Sequence, residues 1–238
     1  MQNAFTEATK DTLQDAFDRN FFQARLVSGS GENRVEWREP MKDIIVLMFD
    51  HQTARPTGDG KSRGDPLLHN HSLALNMGIC QDGKIRALDT DALYYNRPIM
   101  DAVMKANLYK RLLQIEELKD IDLIRGDRDV KINGIPQALV DALRRRKEIE
   151  TYLEEIGMST ADRRAAAIAA RKTRGDKDTQ PPVEELINDW KAIIHHHTQD
   201  KSLFDMLVKR KMSSKLVKRK WSVSLRRRLL VLVISRLS

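Results

Sequence analysis

Apolar residues recur at helical spacing at the start of the chain, where Phe5, Ala8, Leu13, Ala16 and Phe17 fall near one side of a wheel and predict a helix over residues 3–19. The period then changes. Residues 21–27 and 34–37 are short extended runs, and the SGSGEN between them supplies the Ser, Gly and Asn of a hairpin turn. Residues 43–49 (DIIVLMF) form a near-continuous apolar run of strand length, which predicts a strand covered on both faces. Residues 67–77 (LLHNHSLALNM) alternate as another strand, followed by a turn at Gln81-Asp82-Gly83 and a further strand. The intervening ARPTGDGKSRGD, rich in Gly and charge, reads as an exposed flexible loop.

Asp89 or Thr90 can cap a short helix, and residues 99–118 read as a long amphipathic one. A small hairpin is expected about Arg125-Gly126-Asp127. After Pro136 the pattern is helical over 137–155, 160–173, 183–196 and 200–209, with KTRGDKDTQPP as a linker. Sheet-building elements come first and helices later, so the expected class is α+β: an antiparallel sheet followed by a mainly helical C-terminal part. The corresponding divisions are 1–133, 134–208 and a basic tail, 209–238.

Charge changes this picture only at the tail. The chain carries 42 Lys and Arg against 34 Asp and Glu, but residues 209–238 hold 11 of the basic residues and no acid. The remaining body therefore has 31 basic and 34 acidic side chains, and its overall charge gives no argument for nucleic acid. For the tail three readings stand: a non-native or disordered end, a phosphate-binding arm, or a membrane-surface helix. Its apolar run, residues 229–234, falls well short of the roughly 20 apolar residues that span a bilayer, so no integral membrane segment is expected. The single cysteine, Cys80, excludes an intramolecular disulfide framework, and the N-terminus lacks a secretory pattern; a cytoplasmic location is expected.

The candidate chemistry lies in the histidines. His69 and His71 are two apart in a predicted strand, so both imidazoles share a face. His51 ends the preceding apolar strand. If the two strands pair antiparallel across the loop, three imidazoles converge, and three neutral nitrogens hold a divalent ion while leaving positions open for a substrate oxygen. The alternative is isolated strand histidines with no common ligand. Asp50 and Asp65 are candidates to fix the imidazole tautomers from behind. His195, His196 and His197 are consecutive on a helix, point about 100° apart and cannot all face one ion; they read as a polar helix end.

The stretch from His51 to Pro98 resembles the relaxase domain of the TrwC/TraI type, the MobF class of conjugative relaxases. The resemblance rests on His51 after a hydrophobic strand, Gln52-Thr53-Ala54-Arg55, Asp65-Pro66-Leu67-Leu68-His69-Asn70-His71 and Asn76-Met77. It continues through Gly83-Lys84, Arg86-Ala87-Leu88 and Leu93-Tyr94, and more loosely through the later helices, so that it covers roughly residues 5–195. It implies site- and strand-specific DNA transesterification: a tyrosine attacks one phosphodiester at a plasmid transfer origin while three histidines hold a divalent ion on the scissile phosphate. By resemblance the ligands are His51, His69 and His71, the ion is Mg²⁺ or Mn²⁺ with Zn²⁺ as the alternative, and the partner is single-stranded DNA at a transfer origin.

The departures are equally specific. Family members carry nucleophilic tyrosines near the N-terminus of the domain, followed by a Phe-Ser-x-Pro-Lys-Ser-like strand, and neither stretch occurs here. The resemblance thus implies a partial relaxase with no catalytic tyrosine, inactive alone or completed by a separately encoded N-terminal segment. Tyr94, Tyr95, Tyr109 and Tyr152 fall where the family has structural positions; Tyr94 and Tyr95 are expected to pack or cap, the alternative being a surrogate nucleophile. Loss of the N-terminal strands should expose a sheet edge. Two other readings remain: a non-catalytic DNA-binding module acting at the origin, and a small metal hydrolase built on the same histidines.

Overall fold

The computed structural model describes residues 1–58, 63–119, 121–125, 130–143, 146–176, 180–198 and 229–235. They fall into two compact units. The first comprises Met1–His51, His69–Lys131 and the C-terminal strand; the second comprises Gln52–Leu68 and the described residues from Ile132 to Thr198.

In the first unit the opening helix, α1 (Gln2–Asp18), buries Ala8, Leu13, Ala16 and Phe17 along one stripe. It ends because Asn20 turns into the left-handed region at φ 62°, while the Phe21 and Asn20 amides close back on the Ala16 and Phe17 carbonyls. The chain then enters β1 (Gln23–Ser28), turns, and runs through β2 (Val35–His51), a strand of 17 residues where the sequence predicts two short ones. The reason is a change of partner. Residues 35–40 pair with β1 and residues 41–51 pair with β3 (His69–Cys80), and the switch falls beside Pro40, which has no N–H to give a ladder.

Two short strands follow, β4 (Ile85–Arg86) against β3 and β5 (Leu88–Asp89) against β1. Helices α2 (Asp91–Tyr95) and α3 (Arg97–Leu112) come next. Helix α3 stops short of the predicted 118, and residues 116–118 form a separate 3-10 turn. It packs on α1 through a pair between Arg111 and Asp11 at 2.6 Å and a hydrogen bond from Asn107 to Thr12 at 3.2 Å. A two-stranded ribbon, β6 (Leu123–Arg125) with β7 (Val130–Ile132), agrees with the predicted hairpin, whose turn lies outside the described residues.

The core of this unit joins Phe17, Phe21, Phe22, Met41, Ile44, Val46, Met48 and Cys80. Only one face of the 43–49 run is fully buried. Ile44, Val46 and Met48 are covered, whereas Ile45 remains 38% exposed, so the expectation of a strand covered on both faces is corrected. An irregularity in β2 between Ile44 and Val46 lets β3 follow it, and Gly78 sits there with no room to spare. A Cβ on Gly78 would lie 2.6 Å from the Met41 sulfur and 2.7 Å from the Asp43 carbonyl oxygen. Gly78→Ala is therefore expected to lower unfolding free energy by about 1–3 kcal/mol through overpacking, read from chemical denaturation.

The C-terminal apolar run is a strand, β8 (Leu229–Ser235), paired antiparallel with β2 from Asp43↔Ser235 to Phe49↔Leu229. Ile234 is 1% exposed and belongs to the core. The membrane-surface helix reading is thus corrected for this segment, which pairs with residues 43–49 of β2 on the side away from β3. An unpaired edge offers a row of N–H and C=O groups, and an apolar extended run satisfies them while burying its own side chains. The rest of the tail, like the helix expected over 200–209, lies outside the described residues. Among the described residues no helix is long and apolar enough to cross a membrane.

Asp89 fastens β5 and the start of α2 to the β1–β2 hairpin. Its carboxylate accepts from the Asp91 backbone amide at 3.0 Å and from the Arg25 and Arg38 guanidinia, each at 3.0 Å. The amide first, and then the Arg25 and Arg38 charges, hold its pKa below the ordinary carboxylate value against the opposing effect of burial. This contribution to stability is complete above the unfolded value near 3.9 and is lost as pH falls through the lower folded value. Denaturation midpoints followed down through that range should fall less steeply in Asp89→Asn than in the parent chain.

The second unit contains α4 (Gln137–Ala142), α5 (Arg146–Glu155), α6 (Arg163–Lys172) and α7 (Val183–His197). Leu153, Ala165 and Ala169 form a small core between α5 and α6. The segment expected to be a free loop is stitched into this unit. Thr57 bridges Arg174, the Gly58 amide donates to the Thr173 carbonyl at 3.0 Å, and the Trp190 indole donates to the Gly64 carbonyl at 2.8 Å. Arg63 pairs with Glu185 at 2.6 Å and Asp189 at 3.0 Å. Its described residues are therefore held by hydrogen bonds and ion pairs that a reading of Gly content alone does not see.

Candidate metal centre

Strands β2 and β3 end and begin on the same pair of residues. His51, the last of β2, stands opposite His69, the first of β3, and His71 stands opposite Phe49. Because side chains alternate along a strand, residues 49 and 51 share a face with 69 and 71. The three imidazoles accordingly meet. Ring centroids are 5.1 Å apart for His51 and His69, 5.0 Å for His51 and His71, and 5.1 Å for His69 and His71. His51 and His69 are half-buried and His71 is exposed, so a ligand can approach from solvent.

The spacing of the three rings can be compared with that of imidazoles around a shared ion. Nitrogen–metal bonds of about 2.0–2.1 Å at ordinary bond angles put the centroids of rings around a shared cation roughly 5 Å apart. The ring orientations are a separate matter: among the described residues no group of three or more His, Cys, Asp or Glu side chains stands ready to hold a metal as it is placed. One pair is stacked at 30° and the other two are edge-on at 85° and 78°, so rotation about the side-chain torsions has to aim three nitrogens at one point. The backbone supplies the spacing.

Asp50 is not behind the imidazoles, which corrects the role expected for it. It lies on the opposite face of the sheet, where its carboxylate accepts from the Thr6 hydroxyl of α1 at 2.7 Å and from the Asn70 amide at 2.7 Å. Ser72 in turn donates to the Asn70 carbonyl oxygen at 2.6 Å. This chain ties the two histidine-bearing strand ends to each other and to α1 from behind. Thr6 and Asn70 were missed in the sequence, although strand alternation turns Asn70, between His69 and His71, to the face away from the imidazoles, where the register sets it opposite Asp50. Asp65 belongs to the second unit, is buried, and accepts through its carbonyl from the Ala54 and Leu67 amides at 3.0 and 2.8 Å.

His195, His196 and His197 occupy the last turn of α7, where positive charge suits the helix dipole. The tyrosines stand apart from β2 and β3. Tyr109 in α3 donates to the Leu123 carbonyl at 3.4 Å, and Tyr152 in α5 packs against the small core of the second unit. Tyr94 and Tyr95 in α2, expected to pack or cap, are 69% and 76% exposed, which corrects the packing part of that expectation.

Comparison with known proteins places this geometry in context. A sequence model of the TrwC relaxase family matches residues 1–197. No curated protein matches the chain significantly. Among solved structures, a metal-bound complex of the conjugative relaxase TrwC with oriT DNA superposes with a TM-score of 0.67 at 24% identity, covering 82% of this chain and 63% of that one. A metal-free complex of the same relaxase has a TM-score of 0.67 at 23% identity, over 82% and 64% of the two chains. A copper-bound complex gives 0.67 at 24% identity, over 82% and 61%. The chain thus spans less than two thirds of the length of these relaxase structures, and the likeness is one of fold.

Proposed function

The chain belongs to the TrwC relaxase family, and on that premise we propose that it binds single-stranded DNA at a plasmid transfer origin and holds a divalent ion on the phosphate to be cut. The observation that carries this reading is the triangle of His51, His69 and His71, with every centroid separation between 5.0 and 5.1 Å. The relaxase structures to which the chain is similar hold oriT DNA in metal-bound, copper-bound and metal-free forms.

When bound, the ion supplies positive charge to the non-bridging phosphate oxygens, where negative charge builds in the transition state. The protein's own part is positional. Cross-strand pairing of His51 with His69 sets two imidazoles side by side, strand alternation brings His71 to the same face, and the Thr6–Asp50–Asn70 chain holds both strand ends from behind. Three imidazoles and no carboxylate make a borderline-soft donor set, better suited to Zn²⁺, Cu²⁺ or another late divalent ion than to Mg²⁺, so a metal screen has to extend beyond Mg²⁺ and Mn²⁺.

The proposal includes a division of labour: this chain grips phosphate and strand, and a nucleophilic tyrosine comes from a segment other than the residues present here. It is supported by the tyrosines themselves, none of which lies on β2 or β3: one is hydrogen-bonded to the Leu123 carbonyl, one is packed in the second unit and two are on α2. The test is a labelled single-stranded origin oligonucleotide incubated with the chain and Mg²⁺, Mn²⁺ or Zn²⁺. Salt-sensitive binding without a covalent adduct is expected. An adduct would overturn the division of labour, and absence of any DNA binding would overturn the function.

A further inference from the structure

Tyr94 and Tyr95 are unusual in this fold. Tyrosine buries its ring wherever it can, yet these two are adjacent and 69% and 76% exposed, with ring centroids 5.9 Å apart in an edge-on arrangement. Among the described residues neither hydroxyl has a hydrogen-bond partner within the protein. The Arg97 guanidinium lies 5.6 Å from the centroid of the Tyr94 ring, which puts a cation at the same place.

The platform under them is firm. Leu93 and Met100, on either side in sequence, pack against the core of the first unit. The start of α2 is held by Asp91, which pairs with Arg38 at 2.9 Å and Arg25 at 3.4 Å. Helix α2 therefore spends its inward face on the core and its charged start on the β1–β2 hairpin, and presents the two rings outward on a fixed base. Two exposed aromatic rings with a guanidinium over one of them are a combination suited to single-stranded nucleic acid, where bases stack on rings and a cation meets a phosphate.

We propose that Tyr94 and Tyr95 form a base-stacking platform for the single strand, with Arg97 contacting its backbone. The proposal rests on the DNA-binding reading given above and adds the residues that grip the bases, which the histidine centre does not provide. Stacking needs the ring and not the hydroxyl, and it tolerates any base because every base has a π face.

The test uses the full chain and a fluorescently labelled single-stranded oligodeoxynucleotide, read by anisotropy. The Tyr94→Ala/Tyr95→Ala double variant should bind about tenfold or more weakly, within the range expected for losing one or two stacked bases. Tyr94→Phe/Tyr95→Phe should bind as the parent does. An oligonucleotide of the same length made of abasic sugar-phosphate units should bind parent and Ala variant equally. Arg97→Ala should flatten the dependence of log affinity on log salt by about 0.7, the share of one single-strand phosphate. Unchanged thermal melting of the Ala variant separates a contact effect from a folding effect, as the exposure of both rings predicts. If the parent binds the oligonucleotide and the Ala variant binds it equally well, the platform is wrong while the DNA-binding reading survives. If the parent binds no single strand, that reading fails and the platform with it. If the Ala variant loses affinity for the abasic strand as much as for the normal one, stacking is wrong.

Discussion

Replacing His69 by alanine should weaken the binding of Zn²⁺ or Mn²⁺ by more than about 100-fold, because removing only a partner behind a ligand already costs roughly 10–100-fold. His69 faces both other imidazoles at about 5.1 Å and is the one residue that joins them through the β2–β3 register, so its loss leaves two rings on separate strands. The substitution removes no core contact, since His69 is half-buried at a strand end. Melting without metal should therefore change far less than metal affinity does. In the parent chain, metal at 100 times its dissociation constant should stabilise the folded state by about 2.7 kcal/mol, and in the variant at the same concentration it should add little. Competitive titration against a chromogenic chelator and paired melting curves check both statements.

The opposite signature is expected for Phe22→Ala. Phe22 is 2% exposed and stands 6.0 Å, centroid to centroid, from Phe17, itself 1% exposed, in the core that α1 shares with β2. Truncating a buried phenylalanine costs about 3–5 kcal/mol, because the transfer free energy of the ring is lost and the cavity closes only in part. Against a total stability of about 5–15 kcal/mol this is a large share. Urea denaturation should show the midpoint falling with little change in slope. Under conditions where the variant remains folded its metal affinity should match the parent, since the imidazoles lie on the sheet face turned away from α1. The two substitutions thus separate the site from the fold that carries it.

What the sequence made legible follows from locality. His69 and His71 were readable as one face because strand alternation depends on nothing beyond the strand, and His51 joined them through an antiparallel pairing of two neighbouring apolar runs. The same alternation, applied one residue back, would have turned Asp50 away from the imidazoles; adjacency in sequence was mistaken for adjacency in space. The union of residues 35–51 into one strand was hidden because it depends on β1 and β3 serving successive halves of it. The pairing of Leu229–Ser235 with β2 spans nearly the whole chain, and no local pattern says which edge a short apolar run will find. The loop of residues 53–65 looked free because Gly and charge dominate it, while its anchors, Arg174, Glu185, Asp189 and Trp190, lie more than a hundred residues later. Tyr94 and Tyr95 looked structural by position, and their exposure, 69% and 76%, depends on packing that no local pattern shows.

The central claim is that one cation sits among three imidazoles brought together by the ends of β2 and β3. Crystals of the chain soaked in Mn²⁺ or Zn²⁺ and measured at the metal's absorption edge test it directly. The account predicts a single strong anomalous peak about 2.0–2.3 Å from a nitrogen of each of His51, His69 and His71. A peak elsewhere on the molecule with none among these rings, or density showing the three rings turned apart in the presence of saturating metal, would contradict it.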